Sequence, residues 1–81
     1  MVNVPDEQLN VPFIQPGIYQ HYKGNKYEVI GVALDSENIQ ALVIYKPLYE
    51  SKVEFWARPY DMFTSKITIE GTEISRFKKI E

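Results

Sequence analysis

The chain has no cysteine, a single histidine and a single tryptophan among its 81 residues. The missing cysteine removes disulfide staples, thiolate nucleophiles and cysteine-based zinc or iron–sulfur sites, so packing alone must hold the fold. It also suits a reducing compartment. No stretch approaches the ~18 apolar residues of a membrane helix, and no basic segment followed by an apolar run opens the chain, so neither a membrane span nor a signal peptide is expected. The expected location is the cytoplasm. A positive charge balance is absent as well: nine Lys and Arg face eleven Asp and Glu, for a formal charge of −2. Proteins that hold nucleic acid through phosphates concentrate basic charge, so strong generic nucleic-acid binding is not expected. The local basic excess of Arg76, Lys78 and Lys79, interleaved with Phe77 and Ile80, reads as the solvated edge of a last strand.

What remains is an ordinary globular composition, 44% hydrophobic and 25% charged, well away from that of disordered chains. A chain this short buries only about 60 to 65% of its unfolded surface, enough for one core and not two. Pro5, Pro12 and Pro16 disfavour helix interiors and central strands. Residues 1–16 are therefore expected to be an irregular arm, with a short helical turn at 6–9 and with Val11, Phe13 or Ile14 tucked against the core. Residues 17–81 form the expected single β-rich domain.

From Gly17 the pattern alternates. Ile18, Gln20 and Tyr22 oppose Tyr19, His21 and Lys23, and Gly24-Asn25 offers the positive φ values of a two-residue hairpin turn. The return strand runs from Lys26 to about Leu34, with Tyr27, Val29 and Ala33 assigned to one face and Ile30, Val32 and Leu34 to the other. Gly31 interrupts it and points to a bulge or bend. After a polar loop at 35–38, residues 40–49 form another long strand, apolar on both faces as in a curled sheet. Residues 53–58 follow as a strand, and Pro59 sets up one short helical turn near residues 59–63. Residues 66–70 and 74–78 pair around Gly71-Thr72. The expected fold is all-β, a small antiparallel barrel or strongly twisted sheet of about six strands, since closure hides the edges of such short strands.

The run Pro16-Gly17-Ile18-Tyr19, then His21-Tyr22-Lys23-Gly24, Tyr27, Val29, Val32-Ala33, Ser36-Glu37, Val43, Tyr45, Leu48-Tyr49, Trp56, Arg58-Pro59 and Met62-Phe63 resembles the domain of unknown function 1653 family over about residues 16–80. The resemblance implies a short bacterial protein of mostly β structure and no established activity. Two positions depart from the family pattern. Asp35 stands where a histidine often precedes Ser-Glu, and Lys52-Val53-Glu54 where a glycine-rich turn often precedes the tryptophan.

Little in the chain carries catalytic chemistry. His21 has Tyr19 and Lys23 beside it in register, which offer no metal ligation, and no serine sits in a nucleophile elbow, so no catalytic residue, metal site or cofactor is expected. Asp35, Glu37 and Asn38 begin a calcium-like loop but lack its glycine and terminal glutamate; they suit a turn that bonds its own backbone. Glu54 with Asp61, or Asp35 with Glu37, could pair as acid and base, but no substrate-binding pattern flanks them. Lys23-Gly24-Asn25-Lys26 lacks P-loop spacing and a following helix, and reads as a hairpin tip.

The aromatic residues offer two readings. A small barrel needs large rings inside, which makes most of the tyrosines wall or core. Alternatively Tyr19, His21, Trp56 and Arg58 form a ligand-binding groove in which a ring stacks on aromatic faces and the guanidinium grips a carboxylate or phosphate. The leading expectation is a noncatalytic small barrel module that binds a protein or peptide through these four residues. The alternatives are weak nucleotide or single-stranded nucleic-acid binding on the same face, and a small enzyme using His21. The chain is expected to be a monomer or weak homodimer with no membrane partner.

Overall fold

The computed structural model describes residues 4–81; residues 1–3 of the expected arm lie outside the described residues. Five strands form an antiparallel sheet in the order β4-β3-β2-β1-β7: β1 (Gly17–His21), β2 (Lys26–Leu34), β3 (Ala41–Pro47), β4 (Trp56–Pro59) and β7 (Phe77–Lys79). A helical turn, α1 (Tyr60–Phe63), leaves the end of β4, and β5 (Lys66–Ile69) pairs with β6 (Thr72–Ser75) as a separate hairpin. This is the twisted-sheet form of the two closures that the sequence allows, with β4 and β7 as edges and not zipped together.

The sheet is nonetheless strongly curled. Tyr45 on β3 and Phe77 on β7 stand three strand spacings apart, about 14 Å across a flat sheet, yet their ring centroids are 5.6 Å apart. The space between the two edges is filled by the ring of Phe63 from α1, stacked on Phe77 with centroids 4.0 Å apart and planes 8° from parallel. Tyr19, Val29, Val43 and Tyr45 complete the buried core, and Ile14, Tyr27 and Tyr60 pack on it. The trough is thus closed by side chains instead of by backbone pairing.

Several local readings shift by a residue or two. The turn before β2 is a three-residue loop, Tyr22-Lys23-Gly24, in which the His21 amide bonds the Asn25 carbonyl at 2.8 Å. Only Gly24 within it takes a positive φ, 115°, as in a type I turn closed by a left-handed residue. The β5–β6 turn falls on Glu70-Gly71, with φ of 51° and 80°, the pair of positive angles that a two-residue primed turn requires. Gly31 does accompany a bulge. The register steps from Val29↔Tyr45 to Gly31↔Ile44 and then Val32↔Val43, so Ile30 is the extra residue. One inserted residue exchanges the faces beyond it. Val32 therefore shares the face of Val29 and Tyr45, contrary to simple alternation.

The largest correction concerns the tail. Residues 74–78 are not one strand. β6 ends at Ser75, the Arg76 amide donates to the Ser65 carbonyl at 3.0 Å, and the Arg76 carbonyl accepts from the Tyr22 amide at 3.0 Å. The chain then continues as β7 against β1, with His21↔Phe77 and Tyr19↔Lys79 in register. That raises the strand number from about six to seven. β7 is an edge, and its lysines suit one, but Phe77 is only 7% exposed.

The arm carries a 3-10 turn at Asp6–Gln8 and then runs without regular structure to β1. Among its described residues Ile14 packs on the core, while Val11 and Phe13 stay exposed. Its backbone is tied down instead: the Tyr19 hydroxyl donates to the Gln15 carbonyl at 2.8 Å and the Tyr60 hydroxyl to the Phe13 carbonyl at 3.2 Å. No helix among the described residues is long and apolar enough to cross a membrane.

Phe77→Ala should cost about 3 to 5 kcal/mol in urea unfolding, the usual penalty for emptying a buried phenylalanine site. Ile30→Ala, at the exposed bulge, should change stability by less than about 1 kcal/mol.

Candidate functional site

One end of the trough gathers most of the residues singled out above. β1 and β3 finish there, β2 and β4 start there, and β7 begins there, so His21, Tyr27, Tyr45, Trp56 and Phe77 meet across the strands. Trp56 pairs with Tyr45 and Arg58 with Val43 in register, which puts both on the core face. Arg58 reaches over the trough: its Nε–H donates to the Tyr45 hydroxyl at 3.3 Å, and its guanidinium lies 5.4 Å from the Phe77 ring centroid. Such a cation over a ring face is a favourable contact. His21 meets the same Phe77 ring edge-on, with centroids 4.8 Å apart. Phe77 therefore holds an arginine and a histidine in one place.

The four residues of the expected groove have different surroundings. Trp56 is 44% exposed, and His21 and Arg58 are half-buried at the rim. Tyr19 is core: it is buried, its ring meets Phe63 edge-on at 5.7 Å, and its hydroxyl is committed to the arm. It supports the rim from beneath and offers no surface to a ligand, because the alternation that links it to His21 carries it under α1. Burial, with Tyr60 nearby, also raises its pKa above the usual value for a phenol.

Side chains that the sequence reading left out join the rim. Tyr49 meets Tyr27 edge-on, their hydroxyls 3.2 Å apart, and Leu48, Tyr49 and Phe55 are exposed in the β3–β4 connection. The exposed sequence pair Phe55-Trp56 was the available signal. Arg76 is half-buried, and its Nε–H donates to the Ser65 hydroxyl at 3.0 Å. Neither Arg58 nor Arg76 has a carboxylate partner among the described residues, where the ion pair present is Lys66–Glu73 at 3.8 Å.

The chemistry of His21 follows from its contacts. Nδ1 accepts the Lys23 backbone N–H at 3.1 Å, so the neutral ring carries its proton on Nε2 and is a donor there. Partial burial, then the charges of Arg58, Arg76 and Lys23, lower its pKa below the ordinary 6.5. Both causes penalise the imidazolium. In the 35–38 loop the oxygens are spent on turns: Asp35 Oδ1 accepts the Glu37 amide and Asn38 Oδ1 the Gln40 amide, each at 2.8 Å.

A folded-state histidine pKa below the unfolded one means that the unfolded chain binds more protons in that interval. Stability should be full above about pH 6.5 and fall as the pH drops through the lower folded value. With one histidine in the chain, His21→Gln should flatten the thermal midpoint between about pH 6.5 and 5, above the main carboxylate range. An unchanged slope would show that His21 is not its source.

Comparison with known proteins adds a family and a fold. No match is found among curated proteins. The chain is similar to a crystal structure of a DUF1653 protein from Bordetella bronchiseptica, at 26% sequence identity and a TM-score of 0.77, over 83% of this chain and 87% of that one. The family model described as protein of unknown function (DUF1653) matches residues 17–79, from the first residue of β1 to the last of β7, and the chain belongs to that family.

Proposed function

We propose that the protein is a noncatalytic binding module that takes a protein or peptide segment across the open end of the trough. The observation that carries this reading is Arg58, a half-buried guanidinium aimed over Phe77 with no carboxylate partner among the described residues, beside an exposed Trp56. Indole and guanidinium side chains recur at the energetic centres of protein interfaces, because one buries a large apolar area and the other makes directed hydrogen bonds. The exposed Leu48, Tyr49 and Phe55 extend the apolar surface beyond the rim, which fits a partner wider than a small metabolite.

The state of His21 favours binding over catalysis in this reading. A general base needs a proton-accepting nitrogen aimed at its substrate. Here Nδ1 is engaged by Lys23 N–H, and the cations about the ring disfavour proton uptake. The Bordetella neighbour's source supports a bacterial protein, and the cysteine-free sequence suits the reducing cytoplasm.

Peptides selected from a random library on the wild-type protein should bind Trp56→Ala at least about tenfold more weakly, the scale of an interface anchor, while its unfolding midpoint stays close to wild type. Arg58→Gln should also weaken them. Binders indifferent to both changes would overturn the proposal. So would a single-stranded oligonucleotide that quenches Trp56 fluorescence where selected peptides do not, which would move the reading to nucleic acid.

A further inference from the structure

The two edges of the sheet are guarded differently. On β7, Lys78 is exposed and Lys79 half-buried, and edge lysines deter a further strand. β4 ends in Pro59 and carries one charge, Arg58, turned inward over Phe77; its Trp56 and Ala57 are exposed. The ladder fixes which backbone groups β4 offers. Pro59 stands opposite Leu42 and has no N–H, so that pair cannot exchange two hydrogen bonds. Alternation then makes Arg58↔Val43 and Trp56↔Tyr45 the exchanging pairs and turns the backbone of Ala57, opposite Ile44, away from β3. The other side of β3 agrees, because the Leu48 amide just past its end donates to the Lys26 carbonyl at 3.0 Å: even-numbered residues of β3 bond β2, and odd-numbered ones bond β4. Ala57 therefore presents an N–H and a C=O to solvent at the edge.

Trp56 and Arg58, two residues apart, share the trough face of that strand. The Tyr45 hydroxyl holds Arg58 Nε and the Phe77 ring faces the guanidinium, which has no carboxylate partner among the described residues. Such an inward charge on an edge strand rejects an added strand that leaves it unpaired and accepts one that brings an anion. We infer that β4 takes the bound peptide as an additional antiparallel strand and selects the sequence acid-x-apolar. The middle residue exchanges two backbone hydrogen bonds with Ala57, the carboxylate lies opposite Arg58, and the apolar side chain lies opposite Trp56. The inference rests on reading the rim as a peptide-binding surface and adds the conformation and sequence of the peptide. Every strand pair of this protein is antiparallel, the slightly stronger pairing, and in that direction the residue facing Arg58 precedes the one facing Trp56. Strand addition draws affinity from the main chain and specificity from alternate side chains, the two things that this edge supplies.

The test titrates the full ¹⁵N-labelled chain with the acetylated, amidated hexapeptide Thr-Glu-Val-Leu-Val-Thr and follows exchange of the Ala57 amide. The further arms are the peptide with glutamine in place of glutamate, and the peptide N-methylated on the valine between glutamate and leucine. The acidic peptide should slow exchange at Ala57 and bind about tenfold more tightly than the glutamine one, the scale of one charge-assisted contact. The N-methyl group, which removes the donor facing the Ala57 carbonyl, should abolish both effects. Ala57→Pro should do the same from the protein side, at an edge position where proline leaves the pairing with β3 intact. Trp56-dependent binding that leaves Ala57 unprotected and ignores N-methylation would overturn strand addition and leave the peptide-binding reading standing. Equal binding of the acidic and glutamine peptides would overturn the acidic requirement. Glu54-Phe55-Trp56 itself reads acid-x-aromatic, so a wild-type dimer in sedimentation that Glu54→Arg dissociates would give the edge to a second copy and overturn the peptide assignment. Failure of every peptide to bind, library-selected ones included, would overturn strand addition and the reading together.

Discussion

The ring of Phe77 lies against that of Phe63, and this stack joins the last strand to the helical turn that follows β4. The sheet's two edges do not hydrogen-bond to each other, so the contact substitutes for the missing strand pairing of a barrel. Burying two phenylalanine side chains is worth roughly 2 to 3 kcal/mol each, a large share of the stability open to a domain this small. Tyr19, Tyr27 and Tyr45 surround the pair with edge-on contacts, the arrangement that the charge distribution of aromatic rings favours. Gly17 lets the end of the chain come close enough for β7 to dock. Its φ is 145°, and a Cβ there would collide with the carbonyl of Glu81, which accepts the Ile18 amide.

The same ring organises the rim. Phe77 presents one contact to His21 and another to Arg58, bringing basic groups from β1 and β4 to one end of the trough. Arg76, next to it in sequence, is fixed by Ser65. Partial burial, and then cations held together with no acid partner among the described residues, penalise the charged ring and lower the pKa of His21, an electrostatic cost to the fold. The core offsets that cost. Fold stability and proposed binding are thus linked through one side chain.

Much of the fold was legible in the sequence, and its failures have physical causes. Alternation located β1, β2 and β3, and Pro59 announced α1. Gly31 signalled the bulge, but alternation cannot carry face assignments through an inserted residue, so Val32 was placed on the wrong side. Arg76, Lys78 and Lys79 made residues 76–80 look like a solvated edge, which β7 is. What the pattern hid was that the same edge strand turns Phe77 inward, since its burial depends on α1 and on a curl that no local signal encodes. Of the candidate groove, Trp56, Arg58 and His21 do gather at one end, while Tyr19 sits beneath it. The junction at Arg76, where β6 hands over to β7, was hidden because a single residue leaving one strand for another gives no periodic signal.

Native-state hydrogen exchange measures the closure most directly. If Phe77 locks the trough, the Tyr22 and Ile80 amides, bonded to the Arg76 and Ile18 carbonyls, exchange only through the global opening that frees the β2–β3 ladder. Their opening free energies then match those of the Val43 and Tyr45 region and show the same denaturant dependence. Exchange of these two amides by a small local opening, with β2 and β3 still protected, would show the tail to be an ornament on an independently stable sheet and contradict the account.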